Sequence, residues 1–442
     1  MGVASDDVVV IEVAKWAGEP SVVTVNCPDQ TGLGCDICRV ILEFGLCITR
    51  GDVSTDGRWC YVVFWVVKLS ASMNIQWENL KNRLMSICPS CFIPFYFDLV
   101  NPPTSAQVYL LKLFSVDRKG LLHGNNIFEL LVSFLSLEIG LLIGAKCDAD
   151  VTQVLCELEL LIHWVKVSTT PDGRVVDLFF ITDGMELLHT KERQDETCER
   201  LIAVLGESVN RCEIQLAEDF QQGVSSLPPV AAEELFSMEL CDGEFCSQAL
   251  SPDMKKLKKA NVNIDNSLSP SHTLLQIQCV DQKGLLYDIM RTLKDCDIQI
   301  AYGRFLSDMK GSREVDLFIQ QTDGKKIVDP VKQDILSSRL RLEMLHPMRV
   351  MIANRGPDIE LLVANPVEMS GKGRPRVFYH VTLALKLLGI CIFSAEIGRH
   401  TTSERQWEVY RFLLDDGLEL PLANSQSRSQ IVDTVRRTLM GL

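Results

Sequence analysis

Three short stretches of this 442-residue chain set an aspartate, a glycine and a leucine at one spacing. They are Asp29, Gly32 and Leu33 in CPDQTGLGCD, Asp117, Gly120 and Leu121 in VDRKGLLH, and Asp281, Gly284 and Leu285 in VDQKGLLYD. In the first and third, a further aspartate, Asp36 or Asp288, opens an amphipathic helix; in the second, Gly124 stands in that place. A glycine between strand and helix lets the backbone approach whatever lies at the helix start, where unpaired N–H groups and the positive dipole end favour a carboxylate. Flanking aspartates can accept charge-assisted hydrogen bonds from an ammonium. The set therefore suits a free amino acid. Spacing alone leaves a plainer reading equally open, in which Asp36 and Asp288 cap helices and the other aspartates shape turns.

Each motif needs a strand before it and a helix after it, and the flanking sequence supplies both. Beyond the helix come two strands joined by a polar turn, as in CITRGDVSTDGRWCYVVFWVV, then a second helix (191–206, 330–342) and another strand (211–217, 347–353). The unit is βαββαβ, which predicts an α+β fold of tandem ferredoxin-like repeats, each an antiparallel sheet with its helices on one face. A fourth, weaker copy has a helix over 376–388 and strands over 390–399 and 407–414. There Arg376 replaces the turn glycine and His380 the helix-opening aspartate, and the last helix, 428–440, leaves no room for a closing strand. This unit is expected to be a packing partner for unit three, with His380 structural.

The second unit is interrupted. From the turn aspartate to the aspartate closing the third strand, unit three spans 281–323 and unit two 117–183. Removing the apolar run 124–149 brings the spans to within two residues of each other and joins His123 to Asp150, restoring an aspartate at the helix start. The codons available at its two ends match those of a retained intron. The expectation is an insertion in a tight turn, exposed as an apolar helix that lowers solubility and weakens ligand binding by unit two. A membrane span over 127–144 is disfavoured by Glu129 and Glu138, each costly in lipid, and a lid is the remaining alternative.

A net charge of −14 argues against phosphate-backbone binding. Sixteen cysteines without a secretory signal point to reduced thiols. The pairs Cys35–Cys38 and Cys88–Cys91 lie too far apart in sequence for a zinc module, so no metal or other cofactor is expected. Gly2 lacks the serine or threonine that a myristoylation signal would carry, and no membrane association is expected. The cytosol is the expected compartment. The lysine run Lys255, Lys256, Lys258, Lys259 reads either as a solvated linker or as a nuclear-import signal.

Three Asp-x-x-Gly-Leu turns in register, with VDLF…TDG strands at 176–184 and 315–324, resemble the ACT-domain repeat proteins of plants. Those are relatives of the regulatory tail of bacterial glutamine-sensing uridylyltransferases. The resemblance implies ACT domains over 19–101, 106–220 (carrying the insertion), 271–354 and 357–442, with 221–270 a flexible linker separating a 1–2 pair from a 3–4 pair. It also implies amino-acid binding at an interface between paired copies, within the chain or in a homodimer, through Asp29, Gly32, Leu33, Asp36, Asp117, Gly120, Leu121, Asp150, Asp281, Gly284, Leu285 and Asp288. By analogy the ligand is glutamine or a similar amino acid, and the signal passes to a protein partner of nitrogen or amino-acid metabolism. An enzyme is not expected: the chain lacks a P-loop, a Gly-x-Ser-x-Gly elbow and a His-Glu-x-x-His helix. RNA binding is the competing function, because RNA-recognition domains share the βαββαβ order, but the strands that would stack bases are acidic here.

Overall fold

The computed structural model describes residues 8–89, 128–134, 150–217, 227–237 and 260–441, apart from short stretches inside those spans (17, 57, 70–74, 170–174, 184–186, 207–208, 308–310, 357, 369–371, 391, 403–404 and 415–423). Alternation sets the strands. In β2 (Ser21–Pro28), Val23, Val25 and Cys27 are buried while the residues between them are not; in β4 (Trp59–Lys68) Cys60, Val62, Phe64 and Val66 face the core. Helix α1 (Leu33–Glu43) turns Ile37, Val40 and Ile41 onto these strands. Fully burying each of those side chains contributes roughly 1.5–3 kcal/mol.

Unit one comprises β1 (Val9–Glu12), β2, α1, β3 (Leu46–Thr55), β4 and α2 (Trp77–Ile87). Unit two has β5 (Phe128–Phe134), α3 (150–157), β6 (Leu160–Thr169), β7 (Val175–Asp183), α4 (Lys191–Leu205) and β8 (Val209–Leu216). After α5 (Pro229–Ser237), unit three has β9 (Asn261–Asp265), β10 (Thr273–Val280), α6 (Leu285–Asp295), β11 (Ile298–Ser307), β12 (Ser312–Gln321) and α7 (Pro330–Leu345). Unit four has β13 (Arg349–Arg355), β14 (Asp358–Pro366), α8 (Val377–Leu387), β15 (Ile392–Thr401), β16 (Gln406–Leu414) and α9 (Ser425–Met440). The ferredoxin-like α+β class is as expected.

The pairing of units is not. One eight-stranded sheet runs β1-β2-β4-β3-β11-β12-β10-β9 and the other β13-β14-β16-β15-β6-β7-β5-β8. Unit one therefore joins unit three, with β3 against β11 from Ser54↔Tyr302 to Arg50↔Leu306, and unit two joins unit four through β6 and β15. This corrects the expected 1–2 and 3–4 pairs. Each joint covers a strand edge that would otherwise present unpaired N–H and C=O groups. All four joining strands carry a register shift near their start, at Ile48/Arg50, Ile162/Trp164, Ile300/Tyr302 and Ile392/Ser394, which re-aims the chain beside the helix it follows.

The outer edge strand also differs. Only unit two closes with it, through β8; in units one, three and four it comes first, as β1, β9 and β13. The strand expected at 347–353 to end unit three is β13, which makes a hairpin with β14 from Arg355↔Asp358 onward, turning at Gly356 with φ +67°. A short local hairpin costs little loop entropy. Unit four thus has its fourth strand, and the expectation that it lacks one is corrected. Within 221–270, expected to be flexible linker, α5 lays Leu235 and Phe236 on Met351, Leu362 and Trp407 on the outer face of the second sheet, and β9 edges the first.

Part of the run 124–149 is a strand. Phe128–Phe134 lies between β7 and β8, with Leu130 opposite both Phe179 and Ile214 and fully buried. The exposed apolar helix expected there is corrected: FELLVSF is seven residues rich in residues that favour strands, and apolar content alone does not separate a short buried strand from a helix. The apolar stretch from Leu110 into Asp117, expected as the first strand of unit two, and the lysine run at 255–259 lie outside the described residues.

Candidate functional site

Four strand-to-helix turns can be compared. Asp117, Gly120 and Leu121, in the turn of unit two, lie outside the described residues. At the start of α3, Asp150 forms an ion pair of 2.7 Å with Lys386 in the last turn of α8. The two helices also meet at Thr152 and Thr382, whose hydroxyls are 3.0 Å apart.

In unit one Gly32 adopts φ +84°, the left-handed region that glycine enters without strain, and this starts α1. The Leu33 N–H donates to Gln30 and the Asp36 N–H to Gly32, while the Leu33 side chain anchors the turn in the core. Asp29 accepts a 2.6 Å hydrogen bond from the Thr55 hydroxyl at the end of β3. Facing this turn is the end of α6 and the bulged start of β11. Between them is a cleft of about 500 Å³, lined by Asp29, Gly32, Thr55, Lys294, Gln299 and Gln320 among others. Lys294 lies over the glycine, so close that a Cβ there would stand 2.5 Å from its Cε. Its ammonium is 3.2 Å from Glu368 and 4.0 Å from Asp36. Burial alone would lower its pKa, but Asp36, Cys35 and Glu368 raise it above the ordinary value, so the cleft holds a fixed cation. The cleft thus offers a cation and a helix start at one end and a carboxylate, Asp29, at the other.

Unit three repeats the frame. Gly284 has φ +72°, Leu285 is buried, and Asp281 accepts 2.8 Å from the Ser307 hydroxyl, as Asp29 does from Thr55. Here the space is filled. Arg374, from unit four, places its guanidinium against Gly284, 2.6 Å from where a Cβ would be. It donates to the Lys283 carbonyl, to the Leu439 carbonyl at 3.0 Å and to Asp288 at 3.1 Å. Asp281 is held by Arg313, whose Nη2 donates at 2.8 and 2.9 Å to its two oxygens and at 2.7 Å to the Ile48 carbonyl of unit one. Asp288 sits among Arg374, Arg291 and Glu343; burial pushes its carboxyl up to about 6 against the pull of the two arginines. Asp281, Gly284, Leu285 and Asp288 are therefore together in one turn, but Gly284 and Asp288 are occupied by Arg374 and Asp281 by Arg313, both of the same chain.

In unit four Arg376 itself adopts φ +63° at the helix start, and Gly373 stands where unit one has Asp29. A second cleft, of about 290 Å³, opens between this turn, the start of β6 and the α1–α2 side of unit one. His380 is buried; burial and then Lys283, Arg376 and Arg374 push its pKa well below the ordinary value, and its Nδ1 accepts from Lys283 at 3.2 Å. It is neutral and structural.

Lys294 and Arg374 escaped the sequence reading because they come from other units, and Thr55 and Arg313 because they lie on strands that reach the turn only when the sheet of their own unit has formed. For Arg374 a signal existed, since Gly-Arg-Pro-Arg breaks the Asp-x-x-Gly pattern.

Family comparisons match the same regions. An ACR9-like, ACT-like domain matches residues 261–358, the N-terminal region of ACT domain-containing protein ACR10 matches 11–89, and the C-terminal region of ACT domain-containing protein ACR9 matches 359–441. ACT domain-containing protein ACR9 of Arabidopsis thaliana is 59% identical over 447 residues, covering 100% of both chains. The chain belongs to the ACR9/ACR10 family of ACT-domain regulatory proteins. Arabidopsis ACR10 is 47% identical, again over 100% of both. A bifunctional uridylyltransferase/uridylyl-removing enzyme of Gluconobacter oxydans is 36% identical over 72 residues, 16% of this chain and 7% of that one. ACT domains bind amino-acid ligands and pair with one another, and here unit one pairs with unit three and unit two with unit four within one chain. Among the described residues no helix is long and apolar enough to cross a membrane, and no group of three or more His, Cys, Asp or Glu side chains is placed to hold a metal ion.

Proposed function

We propose that this protein is a non-enzymatic sensor that binds glutamine, or an amino acid of similar size, in the cleft between unit one and unit three, and signals its occupancy to a protein partner. The open cleft at Gly32 carries the reading. The α-carboxylate meets Lys294 and the first N–H groups of α1, where charge-assisted bonds and the helix dipole both favour it. The ammonium meets Asp29, braced by Thr55. Gln299 and Gln320 line the cleft as amide partners for an amide side chain. A volume near 500 Å³ lies within the roughly 300–1,000 Å³ range of small-molecule sites. The two walls belong to different units, so ligand shifts whichever arrangement of β3 and β11 binds it better.

Calorimetric titration of the full chain with glutamine and a panel of other amino acids, repeated on Asp29→Asn, tests this. One site per chain, weakened at least tenfold in Asp29→Asn, is expected. Failure of every amino acid to bind, or unchanged binding in the variant, overturns it.

A further inference from the structure

We propose that the cleft at the turn of unit four is a second and separate binding site, for a small anion that carries carboxylate or phosphate oxygens and no ammonium group. It holds the same place in the unit two–unit four pair as the first cleft holds in the unit one–unit three pair. In each, a strand-to-helix turn faces the bulged start of the partner's joining strand, Ile298–Ala301 in one and Leu160–His163 in the other. The chemistry is reversed. Asp29, which can accept from an ammonium, gives way to Gly373, and Gly32 to Arg376, so the turn has lost its acceptor and a guanidinium stands at the helix start.

Charge pairing leaves this cleft with cations to spare. Arg39 and Arg83 share Glu43 at 2.7 and 3.8 Å, Arg399 pairs with Glu408 at 3.3 Å, Arg374 spends its charge on Asp288 outside the cleft, and the remaining lining carboxylate, Glu159, sets one negative charge against Arg376 and Lys372. Arg376 and Lys372 line it with no carboxylate partner among the described residues. The Arg376 Nε and Nη2 N–H groups are buried and have no hydrogen-bond partner among those residues. Buried donors of that kind are rare in native proteins and cost free energy until something accepts from them. A site with uncompensated positive potential attracts anions and repels ammonium groups. Leu161, Ile162 and Phe378 give it apolar walls, which suits a short carbon chain between acidic groups.

The test uses the full chain at low ionic strength, titrated calorimetrically with succinate, with inorganic phosphate and with glutamine, in the parent and in Arg376→Gly. Glycine is at ease at φ +63°, so the variant removes the guanidinium while relaxing the backbone, and its thermal midpoint should not fall. The expected result is one site for succinate or phosphate, weakened at least tenfold in Arg376→Gly, with glutamine titration unaltered by either anion. The tighter of the two probes tells carboxylate from phosphate. The proposal is overturned if neither anion binds at 10 mM or below, if Arg376→Gly binds them as well as the parent, or if glutamine displaces them. Loss of glutamine binding alone would count against the first cleft and leave this one standing.

Discussion

Gly32 and Gly284 occupy the same turn of two paired repeats, share the left-handed backbone and share a hydroxyl-braced aspartate behind them, yet one faces a cleft and the other an arginine. The difference lies in the partner. Over Gly32 lies the flexible end of Lys294, whose ammonium is shared between Asp36 and Glu368 at 4.0 and 3.2 Å. Over Gly284 lies a planar guanidinium fixed by two carbonyls and a buried carboxylate. A turn built to receive a ligand's charge can also receive a side chain, and the motif does not say which. Gly284 and Asp288 are thereby part of the joint between units three and four, while Asp281, through Arg313, belongs to the joint with unit one.

The sharpest way to break this contrast is Arg374→Ala. Arg374 and Asp288 are 5% and 1% exposed, and removing one partner of a buried ion pair typically costs about 3–5 kcal/mol. Arg291, 3.6 Å from Asp288, keeps part of the compensation, so the unfolding free energy should fall by about 3 kcal/mol while glutamine affinity at the first cleft holds. Next come the two glycines themselves. A β-branched residue in the left-handed region is strained by roughly 1–2 kcal/mol at either place. Gly284→Val must in addition expel Arg374, so it should destabilise by at least about 2 kcal/mol more than Gly32→Val, whose Lys294 neighbour can swing away. Conversely, only Gly32→Val should abolish glutamine binding. Equal stability losses in the two variants would show that Arg374 does not fill the turn.

The last contrast separates the turns by pH. Burial, then Arg374 and Arg376, depresses the Lys283 ammonium from an ordinary value of 10.5 to about 7. A depressed lysine binds fewer protons folded than unfolded between those values, so stability should rise as pH increases from about 7 towards 10.5, and the penalty is constant below 7. Lys283→Met should flatten that rise in chemical denaturation measured across the range. A persisting rise would assign it elsewhere.

The repeat, the strand-to-helix turns and the ferredoxin-like class were legible because alternation and Asp-x-x-Gly-Leu are local signals. What failed was non-local. Nothing in residues 46–55 or 298–307 announces that β3 will pair with β11, and Arg355-Gly-Pro-Asp358 reads as a break between units until the β13–β14 hairpin is seen across it. Half of the candidate site was visible for the same reason: Asp29 and Gly32 lie in one segment, whereas Lys294 reaches the cleft through the pairing of units one and three and Thr55 through the β2-β4-β3 order of its own unit.

The interleaved pairing has a kinetic consequence. Unit one must leave the edge of β3 uncovered until β11, some two hundred and fifty residues later in synthesis, has emerged to pair with it, and unit two must likewise wait for β15. Such distant contacts raise contact order and slow folding. During that wait the chain carries two open strand edges able to join a neighbouring chain instead of their own partner. Arg50 and Asp52 on β3 put charge along one of these edges, the device by which natural sheets discourage such mispairing. The order in which the four repeats pair thus makes the nascent chain, more than the finished one, the form most exposed to swapping between copies.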